Sequence, residues 1–143
     1  MTLADVNVLI YAFRSDSPHH AVSKAWLDRT LAGDARFGVS PLALSAVVRI
    51  TTDPRAFCQP DPLERAVGFC DDLLNQPQCE IIRPGERHWN IFTRLCIETG
   101  TRGRRVTDAW FAALALEHGC TWISFDRDFA RFPGLVWREP GAP

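Results

Sequence analysis

Three aspartates, Asp5, Asp108 and Asp126, sit where the chain turns from one kind of local pattern to another. Asp5 ends the short apolar segment Leu3-Ala4. Asp126 follows the strand-forming run Thr121-Trp-Ile-Ser124, and Asp108 falls in the first turn of an apolar helix, where a carboxylate is favoured. Carboxylates brought into one cleft repel each other, and without a counter-charge at least one must hold its proton. A divalent cation removes that conflict. Oxygen ligands with no His or Cys beside them suit Mg²⁺ or Mn²⁺ better than zinc. Such an ion can activate a water for attack on a phosphodiester and stabilise the leaving oxygen. An isolated Asp at a helix start or turn is usually only a cap, so the case rests on all three meeting.

Their polar neighbours fit the same chemistry less specifically. Asp128, two residues beyond Asp126, can cap a short turn, approach a metal through water or stay solvated. Asn7 and Thr107 can orient a metal-bound water or simply cap helices. Arg102, Arg104 and Arg105 lie in the loop Gly100-Thr-Arg-Gly-Arg-Arg105 just before Asp108. Arginine clusters grip phosphates bidentately, so this loop is either a local RNA-backbone contact or a solvated basic turn. The five tryptophans fall mostly at core spacing and read as packing.

The elements that must position these residues alternate. After Asp5, Val6 to Phe13 is apolar enough for a buried helix, and His19 to Leu31 predicts a second, with Val22, Trp26 and Leu27 inward and Gly33 as its stop. Ala35 to Ser40 supplies a second strand. Ser40 as N-cap and Pro41 at the first position start a helix running to Ile50, with Leu42, Ala46 and Arg49 near one face. Pro62 to Asn75 is amphipathic, Cys79 to Arg83 is a third strand, and Glu86 to Glu98 is a helix with Trp89, Phe92, Leu95 and Cys96 inward. Thr107 is the expected N-cap of the helix carrying Asp108, which stops at His118-Gly119, and Leu135 to Trp137 offers a last strand. Short strands alternating with helices predict a parallel α/β sheet, whose ligands gather outside the carboxyl ends of the strands.

The totals set bounds. A chain of 143 residues, 46% hydrophobic, is the size of one compact domain, here expected over 1–143 with its core at about 3–137 and a loose tail over 138–143. Sixteen basic and seventeen acidic residues leave a formal charge of −1, so any nucleic-acid contact must be local. Five cysteines without metal-site spacing read as structural thiols in a reducing cytoplasm. The N-terminus lacks the basic start of a signal peptide, and no apolar run reaches the ~20 residues of a membrane span.

Taken together, the segments LADVNVLIYA, SPLALSAVVRITTDPRAF, VTDAWFAALALEHG and WISFDRDF resemble PIN-domain proteins of the VapC type, the ribonuclease toxins of bacterial toxin-antitoxin pairs. The resemblance implies a three-layer α/β/α sandwich around a central parallel sheet ordered 3-2-1-4-5. It also implies a Mg²⁺- or Mn²⁺-dependent endoribonuclease, a homodimer, and inhibition by a cognate VapB-type antitoxin. Carried over, the family's acids fall on Asp5, Asp108 and Asp126, with Asp128 as an accessory ligand.

One ligand departs from the pattern. The family usually has a Glu three residues before an Arg in the helix after the second strand; here Arg49 is present and the Glu position is Ala46. A methyl group cannot coordinate a cation, and Asp53, seven residues on, is roughly 10 Å along the helix. Ala46 reads either as a disabling change in an active nuclease or as a natural variant of weakened activity. The alternative function is a catalytically silent PIN module that binds an antitoxin or RNA. A phosphorylated-aspartate domain using Asp126 or Asp5 fits poorly, because the DRD lies near the C-terminus and Lys24 is the only lysine.

Overall fold

A computed structural model describes residues 1–142. Five strands form one parallel sheet: β1 Thr2–Ala4, β2 Phe37–Val39, β3 Cys79–Ile81, β4 Thr121–Ile123 and β5 Trp137–Arg138. Their order is β3-β2-β1-β4-β5, as expected, with β1 central and flanked by β2 and β4. The helices are α1 Val6–Phe13, α2 His20–Ala32, α3 Pro41–Thr51, α4 Leu63–Leu74, α5 His88–Thr99 and α6 Val106–Glu117.

Alternation along the short strands builds the layers. Leu3 and its register partner Trp122 turn to one face, where they pack with Leu95 of α5 and Phe111 and Leu114 of α6. Ala4 and Ile123, also paired, turn to the other, against Val8 and Leu9 of α1, Leu27 of α2 and Leu73 of α4. The middle of the sheet is thus covered on both sides, which is why Leu3, Ala4, Phe37, Val39, Trp122 and Ile123 are all apolar and buried. Gly38 is the close approach within it: a Cβ there would stand 2.6 Å from Ile82 Cγ1 and 3.4 Å from Leu3 Cδ1. Gly38→Ala should therefore cost about 1–3 kcal/mol in urea unfolding, with Ile82 forced to shift; an unchanged midpoint would show that Ile82 yields freely.

Several local expectations are corrected. Thr107 is not the N-cap of α6: a 3₁₀ turn over Gly103–Arg105, with Gly103 at φ +66°, runs straight into Val106, so the helix starts two residues early and Thr107 is exposed in its first turn. The basic loop is correspondingly less loose than its sequence implies. Ser40 precedes α3 as expected, but its buried hydroxyl makes no capping bond. Trp89 is 68% exposed because the inward face of α5 runs through His88, Phe92 and Leu95, about 100° from it. Val22 is likewise exposed, one step from the buried Ser23 and Leu27 of α2. The expected tail is drawn in: Arg138 belongs to β5 and Pro140 is buried, while Pro143 lies outside the described residues.

All five cysteines are free thiols. No helix among the described residues is long and apolar enough to cross a membrane.

Candidate active site

The parallel topology places the ends of β1 and β4 side by side, and the two acids that follow them are linked by one buried hydroxyl. Asp5 leaves β1 in extended conformation and caps α1, its Oδ1 accepting from Val6 N at 2.7 Å. Its Oδ2 accepts from Ser124 Oγ at 2.6 Å and from Asn7 Nδ2 at 3.1 Å. Ser124, fully buried just past β4, also accepts from Asp126 N at 3.0 Å and from Asn7 Nδ2 at 3.2 Å. Asn7 closes the ring, its Oδ1 accepting from Phe125 N at 3.5 Å. Of the two polar neighbours singled out in the sequence, Asn7 is therefore in the site, whereas Thr107 is exposed with no side-chain partner among the described residues.

Ser124 was missed by sequence reading. The available signal was a small hydroxyl residue at the end of a buried strand, two positions before an acid. Without the register Leu3↔Trp122 and Ala4↔Ile123, nothing says that it faces Asp5.

The electrostatics follow from burial and crowding. Desolvation pushes the Asp5 carboxyl up to about 6, against the lowering effect of the Ser124 and Val6 hydrogen bonds and with further upward pressure from Asp108 and Asp126. Asp108 is raised for the same leading reason, burial, with Asp126 adding to it and Arg131 and Arg105 opposing. Asp128, at the mouth, is held below the usual carboxylate range by its bond to Arg105. Asp5, Asp108, Asp126 and Asp128 therefore share one electrostatic site. Asp126 Oδ1 accepts from Asp128 N at 2.9 Å, so Asp126 rather than Asp128 caps the 3₁₀ turn over Arg127–Arg131.

The arginines are graded by depth. Arg105 is tied to Asp128, whereas Arg102 and Arg104 are exposed and without an ion pair among the described residues. Arg131, which the sequence reading did not single out, stands 4.0 Å from Asp108 Oδ2 and 3.9 Å from Asp128 Oδ2. No arginine pairs with Asp5. Asp126 has no ion pair among the described residues either, so the arginines balance only Asp108 and Asp128; the neighbours of Asp5 are oxygen donors, the composition that a hard divalent ion takes. The fit is chemical rather than preformed: no three His, Cys, Asp or Glu side chains among the described residues are gathered tightly enough to hold a metal ion.

Ala46 is partly buried on α3, beside the inward residues Ala43 and Val47, on the helix that starts where β2 ends. Asp53 does not stand in for a Glu there, because its Oδ1 accepts from Arg55 N at 2.9 Å in the turn after the helix.

Residues 2–135 match the PIN domain family. The chain is 41% identical to ribonuclease VapC43 of Mycobacterium tuberculosis over 140 residues, covering 98% of this chain and 95% of that protein. Ribonuclease VapC37 of the same organism is 40% identical over 142 residues, covering 99% of both. Among solved structures, VapBC2 from Rickettsia felis bound to a DNA fragment from its promoter matches with a TM-score of 0.70 at 16% identity, over 96% of this chain and 97% of that one. That likeness establishes the fold.

Proposed function

Since the chain belongs to the PIN-domain family, among its VapC ribonucleases, we propose that it is a Mg²⁺- or Mn²⁺-dependent endoribonuclease toxin, weakened by Ala46. The single observation that carries this reading is the partly buried Asp5 carboxylate, held by Ser124 and Asn7 with no ion pair among the described residues, and pushed up by burial and by the nearby Asp108 and Asp126. Asp5, Asp108 and Asp126 would hold the metal, with Asp128 at the rim. When bound, the ion would supply charge neutralisation and a water acidic enough to attack phosphorus. The chain's own residues set the stage. Ser124 and Asn7 fix the Asp5 carboxylate, Asp126 is held by the backbone turn it caps, and the arginines at the mouth draw in the RNA backbone.

The partners in this reading are RNA, a second copy of the chain and a VapB-type antitoxin whose basic residue would replace the missing cation charge; the setting is the cytoplasm. The Rickettsia felis neighbour is a VapBC2 structure bound to promoter DNA, which supports the antitoxin in this reading. A silent binding module is the second reading, and the methyl group at Ala46 favours it.

Incubating the purified chain with total cellular RNA in Mg²⁺, in Mn²⁺ and in EDTA tests the proposal. Discrete fragments that EDTA suppresses are expected, slowly formed; intact RNA under every condition would favour the silent module. Ser124→Ala should lower metal affinity about 10- to 100-fold by freeing the Asp5 carboxylate, read by Mn²⁺ titration, and an unaltered affinity would show that Ser124 only fills space.

A further inference from the structure

We propose that the cleft between the end of α5 and the start of α6 is a second backbone-phosphate subsite, anchored by Arg131. The inference rests on the ribonuclease reading and names where the RNA strand leaves the acids. The cleft, about 350 Å³, is lined by Thr99, Thr101, Arg102, Arg105, Asp128 and Arg131.

Arg131 is aimed but not spent. Its guanidinium lies 4.6 Å over the ring of Phe132, which is itself buried and therefore fixed. Both carboxylates near it, at 3.9 and 4.0 Å, are beyond hydrogen-bond reach, and its one hydrogen bond, to Thr101 Oγ1, is long at 3.5 Å. Most of its five N–H donors are thus unused although the side chain is only 27% exposed.

The threonines hold that aim. Thr99 Oγ1 donates to Leu95 O at 2.7 Å, so in the 2.6 Å contact between the two hydroxyls Thr101 is the donor, leaving Thr101's lone pairs to accept from Arg131. A pre-oriented fork with free donors, and an unpaired Arg102 across the cleft, suits a tetrahedral phosphodiester oxygen pair. Because Arg131 also stands beside Asp108, the phosphate it grips is adjacent to the one presented to the acids.

The test is fluorescence anisotropy with a labelled single-stranded oligoribonucleotide. It is run in Ca²⁺ as another hard cation that neutralises the carboxylates, with the RNA checked for integrity. Arg131→Gln should weaken binding about tenfold and flatten the slope of log affinity on log salt by about 0.7, one single-strand phosphate. Arg131→Lys should keep the slope and lose about threefold, since an ammonium cannot fork; it carries the test if Arg131→Gln fails to fold. Arg36→Gln, which removes the same charge just before β2, at the amino ends of the strands and away from the acids, should leave binding within about twofold.

Equal losses at Arg131 and Arg36 would overturn the subsite, leaving only diffuse charge, as would full affinity in both Arg131 variants. RNA affinity kept while inorganic phosphate binding is lost would make it a free-anion site and overturn it too. A parent protein that binds no RNA at all would end both the subsite and the ribonuclease reading, whereas parent binding indifferent to Arg131 ends the subsite alone.

Discussion

Asp5→Asn is expected to make the metal-free protein more stable at pH 8 while removing its metal binding. The Asp5 carboxyl is raised from 3.8 to about 6 on folding, chiefly by burial. A raised carboxyl is an unusual case, and its sign is opposite to that of a salt-bridged Asp. Below about pH 4 the group is protonated in both folded and unfolded chains and costs nothing. Between about 4 and 6 the folded chain holds the proton more tightly, so stability falls as pH rises, and above about 6 the loss is complete.

The full shift corresponds to about 3 kcal/mol, which partial solvent access lowers to roughly 2 kcal/mol. Asparagine is a neutral isostere that still caps α1 well, and a flip of the Asn7 amide, giving up the long bond from Phe125 N, lets Asn7 Oδ1 and Ser124 Oγ accept from the new amide. Urea unfolding in EDTA should therefore show the parent losing about 2 kcal/mol more than Asp5→Asn between pH 4 and pH 8, with the variant the more stable of the two at pH 8. Mg²⁺ should restore the parent and leave the variant unmoved, because only the ionised carboxylate gains from a cation. A variant less stable than the parent at pH 8 in EDTA would mean that Asp5 is a structural cap and nothing more.

Ala46→Glu is expected to raise RNA cleavage by at least about 100-fold, roughly 2.7 kcal/mol of transition-state stabilisation. Position 46 lies on the flank of α3 between the buried Ala43–Val47 stripe and the exposed Ser45 and Arg49, partly buried, so a longer side chain can extend along the helix surface without entering the core. A fourth carboxylate would deepen the negative potential that Asp5, Asp108 and Asp126 already create, tightening the hold on a divalent ion and fixing its geometry. The same charge should destabilise the metal-free protein, so the gain must be absent in EDTA. A rise of only a few fold would show that three acids suffice and that position 46 is not where a ligand is missing. No cleavage in either form, with RNA still bound, would move the silent module ahead.

What the sequence discloses here depends on the range of the interaction. Asp5 and Asp126 are legible because each ends a short apolar run, and Asp108 because it opens an apolar helix; all three patterns are local. The strand order and the expectation of a ribonuclease toxin came from the likeness of whole segments to VapC proteins, not from periodicity. Trp89 and Val22 were read inward for their apolarity, but the inward place about 100° away is taken by a polar neighbour, His88 in α5 and Ser23 in α2. Thr107 failed as a cap because Gly103, at positive φ, wound the preceding residues into a 3₁₀ turn. Ser124 and Arg131 stayed hidden for a deeper reason. Ser124 matters through Asp5, 119 positions away, and Arg131 through Thr101, 30 away, and only the sheet and the packed ring of Phe132 bring them together.

The central claim is that the partly buried acids Asp5, Asp108 and Asp126 are one divalent-metal site. Titration of Mn²⁺ into the purified parent and into the Asp5→Asn/Asp108→Asn double variant, both checked for folding, tests it most directly. The expected result is saturable binding of one ion class by the parent at neutral pH, strengthened by Ala46→Glu and lost in the double variant. Undiminished Mn²⁺ affinity in the double variant would contradict the account and return Asp5, Asp108 and Asp126 to capping and solvation.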